Sequence, residues 1–190
     1  MTTTPFSSGD YDALLVVSFG GPEGPDDVMP FLENVLRGRN VPHERMLEVA
    51  EHYAHFGGKS PINDQNRALI AAVESRLRAV GSDLPVYWGN RNWHPLLPDA
   101  IQAMTDAGVR RALAWFTNAY SSYSGCRQYR ENLRDACAAV GDRAPQIDRL
   151  RLGFNHPKYV AAQTACVAEA LERVAPAQRR EVDARFEADT

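Results

Sequence analysis

The 190-residue sequence is 44% hydrophobic and 24% charged, with a net charge of −3 and an isoelectric point near 6.0, the composition of one globular domain with a sizeable core. Its basic residues are interleaved with acidic ones, which argues against a nucleic-acid surface. No apolar run reaches the roughly 18 residues of a membrane span and MTTTPFSSGD lacks a signal-like pattern, so a cytoplasmic protein without a transmembrane segment is expected.

Residues 1–10 read as a disordered polar tail, 11–175 as a single domain and 176–190 as a second polar tail. Residues 13–18 are a continuous apolar run, the pattern of a strand covered on both faces. The run passes into VVSFGGPEGPDD, a Gly-rich turn feeding a helix. The turn does not suit a phosphate: Pro22 and Pro25 have no N–H to donate, and Glu23 would meet an anion with like charge. Pro25, Asp26 and Asp27 open a helix whose Val28, Phe31, Leu32, Val35 and Leu36 share one face, with Arg37 and Arg39 at its dipole-negative end. A second helix over 42–56 presents Met46, Val49, Ala50 and Tyr53 and stops at Gly57-Gly58. Ser60-Pro61 starts a third, with Ser60 as its N-cap and Leu69, Ile70, Val73, Leu77 and Val80 as its apolar face. Residues 85–88 read as a strand, 96–107 as a helix and 112–117 as a strand. The polar aromatic loop 118–125 leads to a helix over 126–140 with Tyr129 on its apolar face, then a strand over 147–152 and a helix over 157–174.

Alternating strands and helices predict an α/β fold, a parallel four-stranded sheet flanked by helices. Ligands of such sheets sit beyond the strands' carboxyl ends, where four loops converge. These loops carry Phe19, Asn90, Asn92, Trp93, His94, Tyr120, Ser121 and Tyr123 with Arg91 as their one cation, an inventory for a flat, largely apolar ligand with a polar edge, or for a simple cap on the core. His52 and His55 stand three apart on a helix without the further ligands a metal site needs. His94 and His156 each precede a proline near a helix start and suit capping as well as catalysis. Cys126 gains thiolate character if it opens a helix, although Cys126, Cys137 and Cys166 lack the C-x-x-C spacing of a zinc site or disulfide framework.

LLVVSFGGPEGP, LRGRN, HYAHFGGKSPIN, VYWGNRNWHP and SSYSGCRQYREN, in this order and spacing, resemble the ferrochelatases, most closely the actinobacterial coproporphyrin type. The resemblance implies one of the two similar domains of a chelatase fold. It also implies an enzyme that inserts Fe²⁺, as substrate, into coproporphyrin III to give coproheme in heme b biosynthesis. Ser60 and Tyr129 match the family's porphyrin-contacting serine and tyrosine. Tyr53 matches the second residue of an Arg-Tyr pair whose arginine is His52 here. Phe19 stands where some relatives place an axial tyrosine, and its phenyl ring can only pack. Arg37 and Arg39 match an R-G-R segment at the cleft rim, and the Gly-Gly-Pro turn is expected to let a macrocycle approach the backbone. Cys126 matches the first cysteine of a [2Fe–2S] cluster found in some members, a cluster not expected in this chain. The family's metal-handling T/S-x-H-S histidine and partner glutamate find no counterpart, and His156 in FNHP is the single substitute on offer. The sequence therefore reads as the N-terminal half of a ferrochelatase with its C-terminal half missing; the alternatives are a non-catalytic porphyrin- or heme-binding module and an inactive truncation product.

Overall fold

The computed structural model describes residues 11–174, without the side chains of residues 124–126. Both expected tails lie outside the described residues. The chain divides into two compact units, one ending at Arg151 and the other beginning at Leu152. The first holds β1 (Ala13–Ser18), α1 (Pro25–Leu36), α2 (His43–His55), α3 (Ile62–Ala79), β2 (Val86–Asn90), α4 (Leu97–Asp106), β3 (Arg111–Phe116), a π-helical turn (Tyr123–Gln128), α5 (Tyr129–Val140) and β4 (Gln146–Arg149). The second holds α6 (Pro157–Glu172).

The expected four-stranded parallel sheet is present, in the order β2-β1-β3-β4. All six residues of the central strand β1 are buried, as its uninterrupted apolar sequence requires. Ala13, Leu15 and Val17 join Ala112, Ala114 and Phe116 of β3 on one face, against Leu97, Ala100, Ile101 and Met104 of α4 and Tyr129 and Ala136 of α5. Burying each large side chain of this core contributes about 1.5–3 kcal/mol. Gly89 lets α4 settle on β2, since a Cβ there would stand 2.9 Å from the Leu97 Cα. The opposite face carries Leu14, Val16 and Ser18, and Asn66 of α3 donates to the Ser18 hydroxyl at 2.8 Å. A smaller cluster joins Val28, Phe31 and Leu32 of α1 to Met46, Val49, Ala50 and Tyr53 of α2 and to Trp93.

Helix α3 reverses expectation. Its apolar residues Leu69, Ile70, Val73 and Leu77 are half-buried and Val80 is exposed, whereas the residues it fully buries are Asn63 and Asn66. The helix is anchored by amides at its amino end, where they meet backbone and side-chain partners that no aliphatic group could satisfy. Its cap also differs: Pro61 occupies the N-cap position and Ser60 Oγ receives only a long 3.4 Å contact from the Ile62 N–H. His94 does not cap α4, whose N-cap is Leu96. β2 runs on to Asn90 because its ladder with β1 continues to the Ser18–Asn90 pair, with Arg91 N–H donating to Ser18 O at 2.9 Å. The helical coil expected from Cys126 starts earlier, at Tyr123, as the π-helical turn.

Two glycines with the same left-handed backbone test how much of this architecture depends on close approach. Gly58 has φ +73°, and a Cβ there would stand 2.5 Å from the Pro25 Cα; Gly38 has φ +75° and open space around it. Gly38→Ala is expected to cost about 1–2 kcal/mol, the strain of the left-handed conformation alone. Gly58→Ala is expected to cost at least about 2 kcal/mol more, because the α1 entrance must shift. Paired urea melts of the two variants measure the difference.

Candidate functional site

The carboxyl ends of β1 and β2 are tied together by side-chain amides. Asn63 and Asn90 are both fully buried. The Asn63 amide nitrogen donates to Gly21 O at 3.2 Å, to Glu23 Oε1 at 2.8 Å and to His94 O at 3.3 Å. Asn90 Nδ2 donates to Asn63 Oδ1 at 3.3 Å and to His94 O at 3.1 Å, while Trp88 Nε1 donates to Asn90 Oδ1 at 2.9 Å. Asn92 Nδ2 donates to Phe19 O at 3.2 Å, and Asn34 Nδ2 donates to Asn92 O at 2.7 Å. Asn90 and Asn92, expected to face a ligand, are thus consumed inside the protein.

The glycine pair has a different use from the expected one. A Cβ on Gly20 would stand 2.8 Å from the Asn90 Cβ, and one on Gly21 2.7 Å from the Ser60 Cβ. Both vacant positions face protein atoms, so the Gly-Gly-Pro turn makes room for β2 and for the Ser60 segment rather than for a macrocycle. Ser60 N–H donates to Pro22 O at 2.8 Å, and Lys59 bridges Glu23 as an antiparallel pair.

On this scaffold four of the expected site residues line up. Phe31 of α1 is the hub: Phe19, Tyr53 and Trp93 meet its ring edge-on at 6.3, 6.0 and 6.1 Å between centroids. Trp93 is fixed by donating its Nε1–H to Asp27 Oδ2 at 3.2 Å. Beyond Phe19, the Arg91 guanidinium lies 5.9 Å from the Phe19 ring and 5.9 Å from that of Tyr129. At the other end Tyr53 and Ser60 line one shallow hollow of about 200 Å³ with His52, Phe56, Lys59 and Pro61. The structure therefore brings Ser60, Tyr53, Phe19 and Tyr129 into one run, joined by Phe31 and Arg91. Burial raises the pKa of the Tyr53 phenol, and it raises that of Tyr129 against the opposing pull of Arg91. Both phenols stay protonated at neutral pH and keep an O–H to donate.

The remaining candidates have partners of their own. His156 caps α6, its Nδ1 accepting from Lys158 N–H at 3.2 Å. His55 packs edge-on to Phe56, and the side chain of Cys126 lies outside the described residues. Cys137 is a half-buried thiol whose pKa is raised by burial, and Cys166 is exposed on α6. No group of three or more His, Cys, Asp or Glu side chains among the described residues could hold a metal ion. No described helix is long and apolar enough to cross a membrane.

The ferrochelatase family model matches residues 11–184. The chain belongs to the ferrochelatase family. It is 59% identical over 170 residues to a ferrochelatase of Rhodopirellula baltica. It is 58% identical over 174 residues to a coproporphyrin III ferrochelatase of Streptomyces coelicolor and 56% over 170 residues to one of Nocardia farcinica. Each alignment takes in 90% of this chain and 46–48% of the relative, so the chain spans about half the length of the curated relatives it matches.

Sequence reasoning missed Asn63 and the hub role of Phe31. The available signal was the Asn63–Asn66 spacing, i and i+3, which puts two amides on one face of the first turns of α3. Glu23 offers a test of the network. Its carboxyl is held below the ordinary glutamate range by the Asn63 amide and, beside it, by Arg67 and Lys59. A lowered folded-state pKa contributes stability above the unfolded value of 4.5 and loses it as pH falls through the depressed value. The stability difference between wild type and Glu23→Gln is therefore expected to be largest at neutral pH and to shrink below about pH 4.5, as read from urea melts at several pH values.

Proposed function

We propose that this chain supplies one wall of the porphyrin cleft of a coproporphyrin ferrochelatase, an enzyme that inserts Fe²⁺ into coproporphyrin III to yield coproheme. The observation that carries the reading is the run from the Ser60 hollow through Tyr53, Phe31 and Phe19 to Arg91 and Tyr129. Phe19 and Tyr53, backed by the buried Phe31, offer ring surface in the middle with neutral or cationic donors at both ends, the complement of a flat macrocycle with carboxylates on its periphery. The similarity to the coproporphyrin III ferrochelatases of Streptomyces and Nocardia supports the same substrate. Phe19 packs beneath the ring system without ligating a metal. Ser60 and Tyr53 donate to propionates at one edge and Tyr129 at the other. The setting is the cytoplasm.

Metallation also needs a base to accept the pyrrole protons and a group to deliver the metal. This reading gives these residues the binding of the porphyrin; no base or metal-delivering role is assigned to them, because the T/S-x-H-S histidine and its glutamate partner have no counterpart among these 190 residues. Titration with coproporphyrin III is expected to shift the Soret band, with Ser60→Ala and Tyr53→Phe each weakening binding by about three- to tenfold, the worth of one hydrogen bond. A Soret band unmoved across the titration would contradict the porphyrin reading. Fe²⁺-dependent coproheme formation by the purified chain, lost in His156→Ala, would move metal handling onto His156.

A further inference from the structure

The loop after β2 alternates in direction. Asn90 and Asn92 point inward and are bonded, whereas Arg91 between them points out, its guanidinium against the faces of Phe19 and Tyr129. Its backbone N–H is used, donating to Ser18 O at 2.9 Å. Among the described residues its guanidinium has no carboxylate or carbonyl partner, which sets it apart from Arg67, Arg111 and Arg127, each paired with an acid. Burial disfavours its charged form, the Tyr129 phenol favours it, and the nearby cation Arg39 disfavours it. A half-buried guanidinium with five donors, two aromatic walls and no acid is a site lacking its anion.

We propose that Arg91 makes this wall select porphyrins that carry carboxylates on opposite edges over porphyrins that carry them on one edge. The inference rests on the porphyrin reading and adds the basis of choice. The Tyr53–Phe31–Phe19 run lies between the Ser60 hollow and Arg91. A macrocycle laid on that run with one carboxylate edge at Ser60 presents its opposite edge to Arg91. Where that edge bears a carboxylate, as in coproporphyrin III with a propionate on every pyrrole, the guanidinium fork gains a charge-assisted pair. Where the edge bears vinyl groups, as in protoporphyrin IX with propionates on two neighbouring pyrroles, the macrocycle covers the cation without compensating it. A buried polar group left unpaired rejects a ligand more strongly than a missing apolar contact does.

The test measures dissociation constants of the chain for coproporphyrin III and protoporphyrin IX, by fluorescence in the same dilute detergent, for wild type, Arg91→Gln and Arg91→Lys. Wild type is expected to prefer coproporphyrin III by about tenfold or more, one charge-assisted pair's worth. Arg91→Gln should collapse that ratio toward one, chiefly by weakening coproporphyrin III, and Arg91→Lys should keep about a third of it, retaining charge without the fork. Added KCl should weaken coproporphyrin III more than protoporphyrin IX in wild type, a readout that needs no variant to fold. An unchanged ratio in Arg91→Gln, or equal salt sensitivity of the two porphyrins, overturns the role of Arg91 while leaving the porphyrin reading intact. Failure of wild type to bind either porphyrin overturns both.

Discussion

The hydrogen bonds of Asn63 are the constraint on which the site depends. At the carboxyl end of a parallel sheet the ladder stops, and the turn carbonyls it leaves need donors once they are buried. One amide on the first turn of α3 serves the β1 turn through Gly21 O and Glu23, and the β2 loop through His94 O. Asn90 closes the circuit by donating to Asn63 and to the same His94 carbonyl. A fully satisfied buried network of this kind rigidifies its surroundings, whereas a partly satisfied one is costly. Its closeness dictates the glycines: with Asn90 and Ser60 pressed against the turn, neither Gly20 nor Gly21 can carry a Cβ.

Rigidity at this point has a consequence for the surface. Phe19 and Arg91 directly follow β1 and β2, and their outward directions are set by the inward anchoring of Ser18, Asn90 and Asn92. Phe31 and Trp93 complete the support, the first from the α1–α2 cluster and the second through Asp27. The proposed wall is thus built from side chains whose neighbours are locked, and such a surface orders a ligand at little cost in its own freedom.

Much of the fold was legible because it is written in short-range pattern. The uninterrupted apolar run of β1 signalled a central strand, and the i, i+3, i+4, i+7 spacing in α1 signalled a helix with one buried face. Of the candidate site, Ser60, Tyr53, Phe19 and Tyr129 came from family motifs, and the structure joins them through ring and hollow contacts. The illegible part depends on direction and distance. Nothing in NRNWHP shows that its asparagines turn in and its arginine out, because loop residues follow no fixed period. Asn63 and Gly21 are 42 positions apart, so no local rule reports their meeting. The apolar stripe of α3 misled for the opposite reason: periodicity shows that a helix has an apolar face but not that the face is fully covered.

Phe19, Tyr53, Arg91 and Tyr129 are proposed to form one ligand-bearing wall. The wall is tested most directly by two-dimensional NMR of the chain titrated with coproporphyrin III, because the macrocycle's ring current shifts nearby protons according to their position. The largest shifts are expected at Phe19, Phe31, Tyr53, Ser60, Arg91, Trp93 and Tyr129, moving together along one binding curve. Shifts confined instead to the apolar hollow of about 500 Å³ lined by Val28, Met29, Leu47 and Ala54, with those residues silent, would contradict it.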